Sequence, residues 1–372
     1  MLLAKEKIFY LAEFSLPNMS AYAQHVLKMS DALNKTDKDL MLIIPYCNDN
    51  YTFQNIKLDY NLKTHFQIKS IFKKKITFNF FWRIFFSIKI FFLIKNQKNF
   101  NVISRSIIPS IILAILNIKN CLEIHTEMTG LTKFFFKLSK LKFVNKNLSF
   151  IVLNKKLIEI LNLNKSKTII LRDAVDISDY KVFPKKRTLK NTCAYAGSLG
   201  PGKGLDIIIQ LAKDMPLINF HVYGNLNTIK NKKTLNKIPK NLVFKGYIKY
   251  SDLNKVLMKY KVLLMPYEKQ VGVLIKNISV ENYFSPLKMF DYMASGRIII
   301  ASKLEVYKDI LKNNINSFLV DPYDYKNWKK KILLSFKNNN YFRLGDKAYK
   351  DLKKYTWNER AQKINEFLCI NR

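Results

Sequence analysis

Three short stretches of this chain hold the residue types that handle charge and protons. The first runs from Ser285 through Pro286, Leu287 and Lys288 to Asp291, and its apolar periodicity stops at Ser295-Gly296. Proline fits the first turn of a helix and glycine the position just past its end, so a helix is expected here. The first turn of a helix carries N–H groups without intrahelical partners, which favour an anion. Lys288 adds charge beside them, and Asp291 stands one turn further on. Ser285, Pro286, Leu287 and Lys288 thus suit phosphates, and Asp291 suits the hydroxyls of a ribose, as in a sugar nucleotide. The second stretch runs from Gly197 and Ser198 to Lys203 and Gly204 and holds four of the ten glycines. Glycine lets backbone approach a phosphate closely, and Lys203 adds charge. The spacing is neither GxGxxG nor a GK[ST] phosphate loop. The third is Glu123-Ile124-His125, at the end of an apolar run. At the carboxyl end of a parallel strand, a histidine points into the ligand crevice of an open α/β sheet.

The rest of the chain reads as a frame for these stretches. Strands are expected at 7–12, 40–45, 101–103, 121–125, 149–153 and 168–171, with helices at 20–33, 109–118 and 155–163. A second run of strands follows at 192–196, 218–223, 242–245, 262–266, 298–301 and 317–320. Helices at 328–336, 341–354 and 357–368 close the chain. Strand–helix alternation makes a parallel sheet, and 372 residues exceed one ordinary core. The expected division is 1–182, a polar, basic, proline-containing linker at 183–191, a second domain at 192–354, and a last helix at 355–372.

The stretch SPLKMFDYMASGRIIIAS resembles the nucleotide-sugar signature of retaining GT-B glycosyltransferases, in particular glycosyltransferase family 4. In that signature an acidic residue in a helix precedes a Met-Ala-x-Gly turn and a strand. Asp291 stands where the family has Glu, and the family's earlier Glu falls at Tyr283, with Glu281 two residues away. The Gly197–Gly204 segment looks like the family's Gly-x-Leu…Lys-Gly loop, in which the lysine holds the diphosphate; the family's arginine there is Ser198. The resemblance implies two doubly wound Rossmann-like domains facing a central cleft, with the C-terminal helix crossing back to the first. It implies that His125 lies by the transferred sugar and acts with Lys203 in catalysis. It places Gly197, Ser198, Lys203, Gly204, Ile248, Tyr283, Ser285, Pro286, Leu287, Lys288 and Asp291 around the donor, with Ile248 beside the base. Asn18, Ser20 and Glu123 fall on the acceptor side, although Ser20 reads equally well as a plain helix cap. Retaining transfer by this route needs electrostatic support for the leaving diphosphate and no cofactor or metal. The spacing Asp37-Lys38-Asp39 matches a metal-binding DxD only formally.

There are 64 Lys+Arg against 27 Asp+Glu, a net charge of +37. That attracts nucleotide phosphates, anionic lipid or nucleic acid; a bias toward Lys-, Asn- and Ile-rich codons explains it as well. No nucleic-acid motif accompanies the charge, so no nucleic-acid partner is expected. Residues 72–95 and 131–146 are basic and rich in phenylalanine, which fits peripheral contact with an anionic membrane or, equally, core-packing helices. Cys47, Cys121, Cys193 and Cys369 are far apart in sequence, which points to a reducing compartment. The expected location is the cytoplasm, at the inner face of the plasma membrane. The expected partners are a nucleotide-sugar donor and a glycan or lipid-linked acceptor for cell-surface polysaccharide or glycolipid. Two other readings stay open: a non-catalytic binder of sugar nucleotides or membranes, motivated by Tyr283, and an epimerase of the same fold. The resemblance implies a second crevice histidine for the latter.

Overall fold

The computed structural model describes residues 6–36, 38–77, 79–180, 188–229, 235, 238–269 and 285–370. The chain divides into two units, Met1–Asp173 with Trp357–Arg372, and Ala174–Thr356. Each is an α/β unit around one parallel sheet, and the two together form the two Rossmann-like domains of the GT-B fold.

The first unit holds seven strands in the spatial order Gln67–Ser70, Asp39–Ile44, Lys7–Leu11, Phe100–Ser104, Asn120–Ile124, Leu148–Val152 and Thr168–Ile170. Asn120–Ile124 and Leu148–Val152 are buried at every residue. Such continuous burial belongs to parallel strands covered on both faces. The helix Ala21–Asn34 follows the first strand and is capped by Ser20, whose Oγ accepts from the N–H of Ala23 at 3.2 Å. The C-terminal helix Trp357–Ile370 packs against it within this unit.

The second unit holds six parallel strands in the order Leu242–Gly246, Asn219–Tyr223, Leu189–Ala196, Tyr260–Met265, Ile298–Ser302 and Phe318–Val320. Leu264, Ile300 and Trp328 sit in its core. Counted along the chain, the spatial orders are 3-2-1-4-5-6-7 and 3-2-1-4-5-6. Each order reverses between its first and fourth strands. At such a switch point the loops leave in opposite directions and open a crevice at the carboxyl ends.

Some expectations shift. The division of the chain falls between Asp173 and Ala174 and not after 182. The strand Leu189–Ala196 begins inside the stretch expected to be linker, and residues 181–187 lie outside the described residues. Residues 355 and 356 belong to the second unit, where Val175 N–H donates to the Tyr355 carbonyl. The basic-aromatic helix is Phe80–Ile94, capped by Asn79, and not the whole of 72–95. Pro286 is the extended residue before the helix Leu287–Ala294 and not its first helical residue. The strand Gln67–Ser70, the helix Phe53–Tyr60 and the short pair Ser15–Leu16 with Tyr46–Cys47 were not foreseen. Gln67–Ser70 has no fully buried residue, so no apolar pattern announced it.

Candidate functional site

In the second unit, the first strand ends at the glycine loop and the fourth ends beside it. The helix Leu205–Asp214 starts from Gly204, whose φ is +79°. A Cβ there would lie 1.4 Å from the Pro266 carbonyl oxygen, so only glycine lets the two strand ends meet this closely. The helix Leu287–Ala294 is tied to the same place. The Tyr292 hydroxyl accepts from the Ala196 N–H at 2.8 Å, and the Tyr195 hydroxyl donates to the Ser198 carbonyl at 2.5 Å.

This frame brings two lysines together. Lys288 Nζ stands 3.8 Å from the ring centre of Tyr195 and 5.1 Å from that of Tyr267. Lys203 Nζ lies 5.2 Å from the Tyr267 ring centre. Gly197 makes room, because a Cβ there would come within 2.5 Å of Lys288 Nζ. Burial, and then the charge of Lys203, push the Lys288 pKa well below its ordinary value. Burial brings Lys203 down to about 8. Lys288 Nζ is buried without a hydrogen-bond partner among the described residues. A buried ammonium without a partner is costly, and an anion supplied from outside relieves that cost. The aromatic faces offer only partial compensation.

Asp291 is buried, and its Oδ1 accepts from the hydroxyls of Tyr180 at 2.8 Å and Tyr250 at 3.4 Å. Burial, then Asp291, push both phenols well up, so they act as donors. A ribose hydroxyl would share this carboxylate with two tyrosines. Ser198 is exposed, and Ser285, Leu287 and Ile248 are half-buried, Ile248 just past the strand Leu242–Gly246. Pro286 is buried at the helix tip. Tyr283 and Glu281 lie outside the described residues, as does Asp37.

The first unit gathers a different set. Glu123 is buried at the end of its strand. Its Oε1 lies 2.8 Å from Arg360 Nη2, 2.7 Å from His125 Nε2 and 2.8 Å from His25 Nε2. Its Oε2 accepts from the Tyr10 hydroxyl at 2.8 Å. The other nitrogen of His25, Nδ1, is 2.6 Å from Asp173. Burial alone would raise the Glu123 pKa; Arg360 and then His25 overcome it and hold the carboxylate well below its ordinary range. Burial, then Arg105, bring His125 down to about 4, so its imidazole is neutral. With Nε2–H donated to the ionised Glu123, Nδ1 of His125 is left as an acceptor. His25, Glu123 and His125 also bring their ligand atoms within 4.8 Å of one another. Arg360 already places a positive charge on the shared oxygen, which disfavours a cation there. Asn18 and Ser20 are spent locally: Asn18 Oδ1 accepts from Ser20 N–H at 2.8 Å, and Ser20 caps its helix. A cavity of about 310 Å³ opens at the amino ends of the middle strands of this sheet, lined by Asn101, Lys119 and Asn147 among others, away from His125.

Sequence reasoning named Lys203, Lys288, Asp291, Glu123 and His125. It did not find Tyr195, Tyr180, Tyr250, His25 or Arg360 as neighbours of those groups. Arg360 is 237 residues from Glu123, and no local pattern links them.

Residues 176–358 match the family model described as glycosyl transferases group 1. That span is almost the whole of the second unit. The chain is also similar in fold to solved structures. With TarM of S. aureus it shares 15% identity over 98% of both chains, at a TM-score of 0.75. With a glycosyltransferase from Rickettsia africae it shares 12% identity over 99% of both chains, at 0.76. With Anabaena HepE, solved with UDP and glucose, it shares 12% identity over 98% of this chain and 100% of that one, at 0.72. A search of curated proteins finds none that matches significantly. The group 1 match, carried on a GT-B fold, supports a glycosyltransferase enzyme.

Proposed function

We propose that this chain is a retaining glycosyltransferase of the family 4 kind. It moves a sugar from a nucleotide-diphosphate sugar to a glycan or lipid-linked acceptor, in the synthesis of cell-surface polysaccharide or glycolipid. The observation that carries the reading is Lys288 Nζ, buried over Gly197 and next to Lys203 without a hydrogen-bond partner among the described residues. Two such charges in a desolvated site support negative charge building on a leaving diphosphate, so the reaction needs no metal or cofactor. The UDP in the Anabaena structure supports a diphosphate donor. Tyr180 and Tyr250 set the direction of the Asp291 carboxylate, which we assign to the ribose. In the first unit, His125 accepts from a substrate hydroxyl through Nδ1. With a pKa of about 4 it positions and does not protonate. The protein works in the cytoplasm, peripheral to the inner face of the plasma membrane.

The epimerase reading has one observation in its favour, a second histidine 4.8 Å from His125 ring to ring. His25, however, is buried, with Nε2 toward Glu123 and Nδ1 toward Asp173. It cannot reach a substrate. The test of the main reading is a thermal-shift screen against UDP, GDP, dTDP and CMP, followed by turnover of the matching sugar nucleotide. One diphosphate should raise the melting point, and Lys288→Ala and Lys203→Ala should abolish the shift. A shift without any turnover supports the non-catalytic binder, and no shift with any nucleotide sinks both.

A further inference from the structure

The helix Phe80–Ile94 is apolar on two sides. One side is core: Phe86, Ile90 and Ile94 are fully buried and pack with Phe9, Leu11 and Val102. A surface helix ordinarily turns charged and polar residues outward. This one turns out Phe81, Phe85, Ile88 and Phe92, exposed by 78%, 45%, 40% and 61%, with Trp82 beside them. Their spacing is that of a single stripe. The helices Gly130–Lys137 and Lys142–Asn145 present a second apolar surface through Leu131, Phe134 and Phe143. The rings of Phe80 and Phe135 meet edge-on at 5.8 Å, so the two surfaces are continuous. Scattered exposed apolar side chains are ordinary, but a contiguous patch marks an interaction site.

The charge around the patch says what covers it. Residues 72–95 and 131–146 contain ten lysines and one arginine, and no aspartate or glutamate. Lys89 and Lys95 lie along the patch, with Nζ 5.1 Å and 4.6 Å from the ring centres of Phe85 and Phe92. This is the posture of a side chain whose stem lies on an apolar surface while its ammonium reaches for a polar layer. A second copy of the chain would set lysines against lysines. No described helix is long and apolar enough to cross a bilayer. Arg83 Nε lies 3.1 Å from Glu13, which links the helix to the loop after the first strand.

We propose that the outward faces of Phe80–Ile94 and of 131–143 form one docking face for an anionic lipid bilayer. The aromatic stripe enters the boundary between headgroups and acyl chains, and the lysines bind acidic headgroups. This deepens the peripheral placement proposed above, and it does not depend on the donor site.

The experiment is flotation of the full chain with vesicles of phosphatidylcholine, alone or mixed with phosphatidylglycerol. The protein should float with the mixed vesicles, less so in high salt, and not with phosphatidylcholine alone. Of the three tryptophans, Trp328 and Trp357 are buried, so a blue shift of emission on the mixed vesicles reports Trp82. The variant Phe81→Ser/Phe85→Ser/Phe134→Ser should lose binding about tenfold or more, with circular dichroism unchanged. Lys73→Glu/Lys74→Glu/Lys75→Glu should weaken it in the same assay. Flotation and emission that the phenylalanine variant leaves unchanged would overturn the proposal, and so would absence of flotation. A dimer in light scattering that the variant dissociates, without vesicle binding, would assign the face to a second copy and overturn it too. Failure of nucleotide binding with flotation intact would count against the donor site alone.

Discussion

Two glycines in the same loop make different demands. At Gly204 an added methyl group meets the Pro266 backbone oxygen at 1.4 Å, at a φ of +79°. Backbone cannot move aside cheaply, so Gly204→Ala should cost about 2–4 kcal/mol, read as a lower urea midpoint. At Gly197 the obstacle is the far end of the Lys288 side chain, at 2.5 Å. Gly197 also has a φ of +155°, so Gly197→Ala should cost about 1–3 kcal/mol of stability and in addition weaken nucleotide binding about tenfold, by pushing the ammonium off its seat. Nucleotide affinity left unchanged in Gly197→Ala would show that Lys288 is not where the geometry puts it. The lysines also set a pH dependence. A bound diphosphate favours their charged forms, so binding takes up protons wherever the free lysine is neutral. Lys203, at about 8, is charged below that pH and neutral above it. Burial, and then Lys203, also hold Lys288 well below its ordinary value. Affinity for the nucleotide should therefore fall as pH rises above 8, approaching about tenfold per unit for one lysine. Calorimetry at pH 8 in buffers of different ionisation heats should show net proton uptake; release would reverse the assignment.

The C-terminal helix carries the counter-charge of the first unit. Arg360 donates to Glu123, and through Nε to the Arg172 carbonyl at 3.0 Å, from a helix that begins with the buried Trp357. Breaking one side of a buried ion pair leaves the other side uncompensated. Glu123→Gln should cost about 3–5 kcal/mol of stability by that argument, whereas Tyr10→Phe removes one neutral donor and should cost about 1 kcal/mol. Urea unfolding followed by circular dichroism separates the two, and equal costs would mean that Arg360 is not the dominant partner. Element type and order were mostly legible, because parallel strands buried on both faces are written as unbroken apolar runs such as Leu148–Val152. The edge strand Gln67–Ser70 was not, because half its residues face solvent and no run forms.

The whole molecule pairs a net charge of +37 with a proposed donor site whose positive charges are lysines. If protein charge alone supports the leaving diphosphate, chelation with EDTA should leave both the nucleotide-induced melting shift and turnover unchanged. Loss of either on EDTA, with recovery on adding Mg²⁺, would refute metal-independence.

From the sequence alone came the two α/β units, the glycine loop with Lys203, the helix tip with Lys288, and the pair Glu123 and His125. These rest on local periodicity and short spacings, which a linear string records. The string also placed aromatic lysine-rich segments at 72–95 and 131–146. It left open whether their phenylalanines were core or surface, because a helix has two faces and composition does not say which is covered. Tertiary structure decided that both are true: Phe86 faces the core, and Phe81 and Phe85 face out. It also decided that Lys288 lies over Gly197 and that Tyr180 and Tyr250 hold Asp291. Arg360, near the chain's end, neutralises Glu123 by the same means. Those contacts join residues 41 to 237 positions apart, and only the packing of strand ends at a switch point brings them within reach.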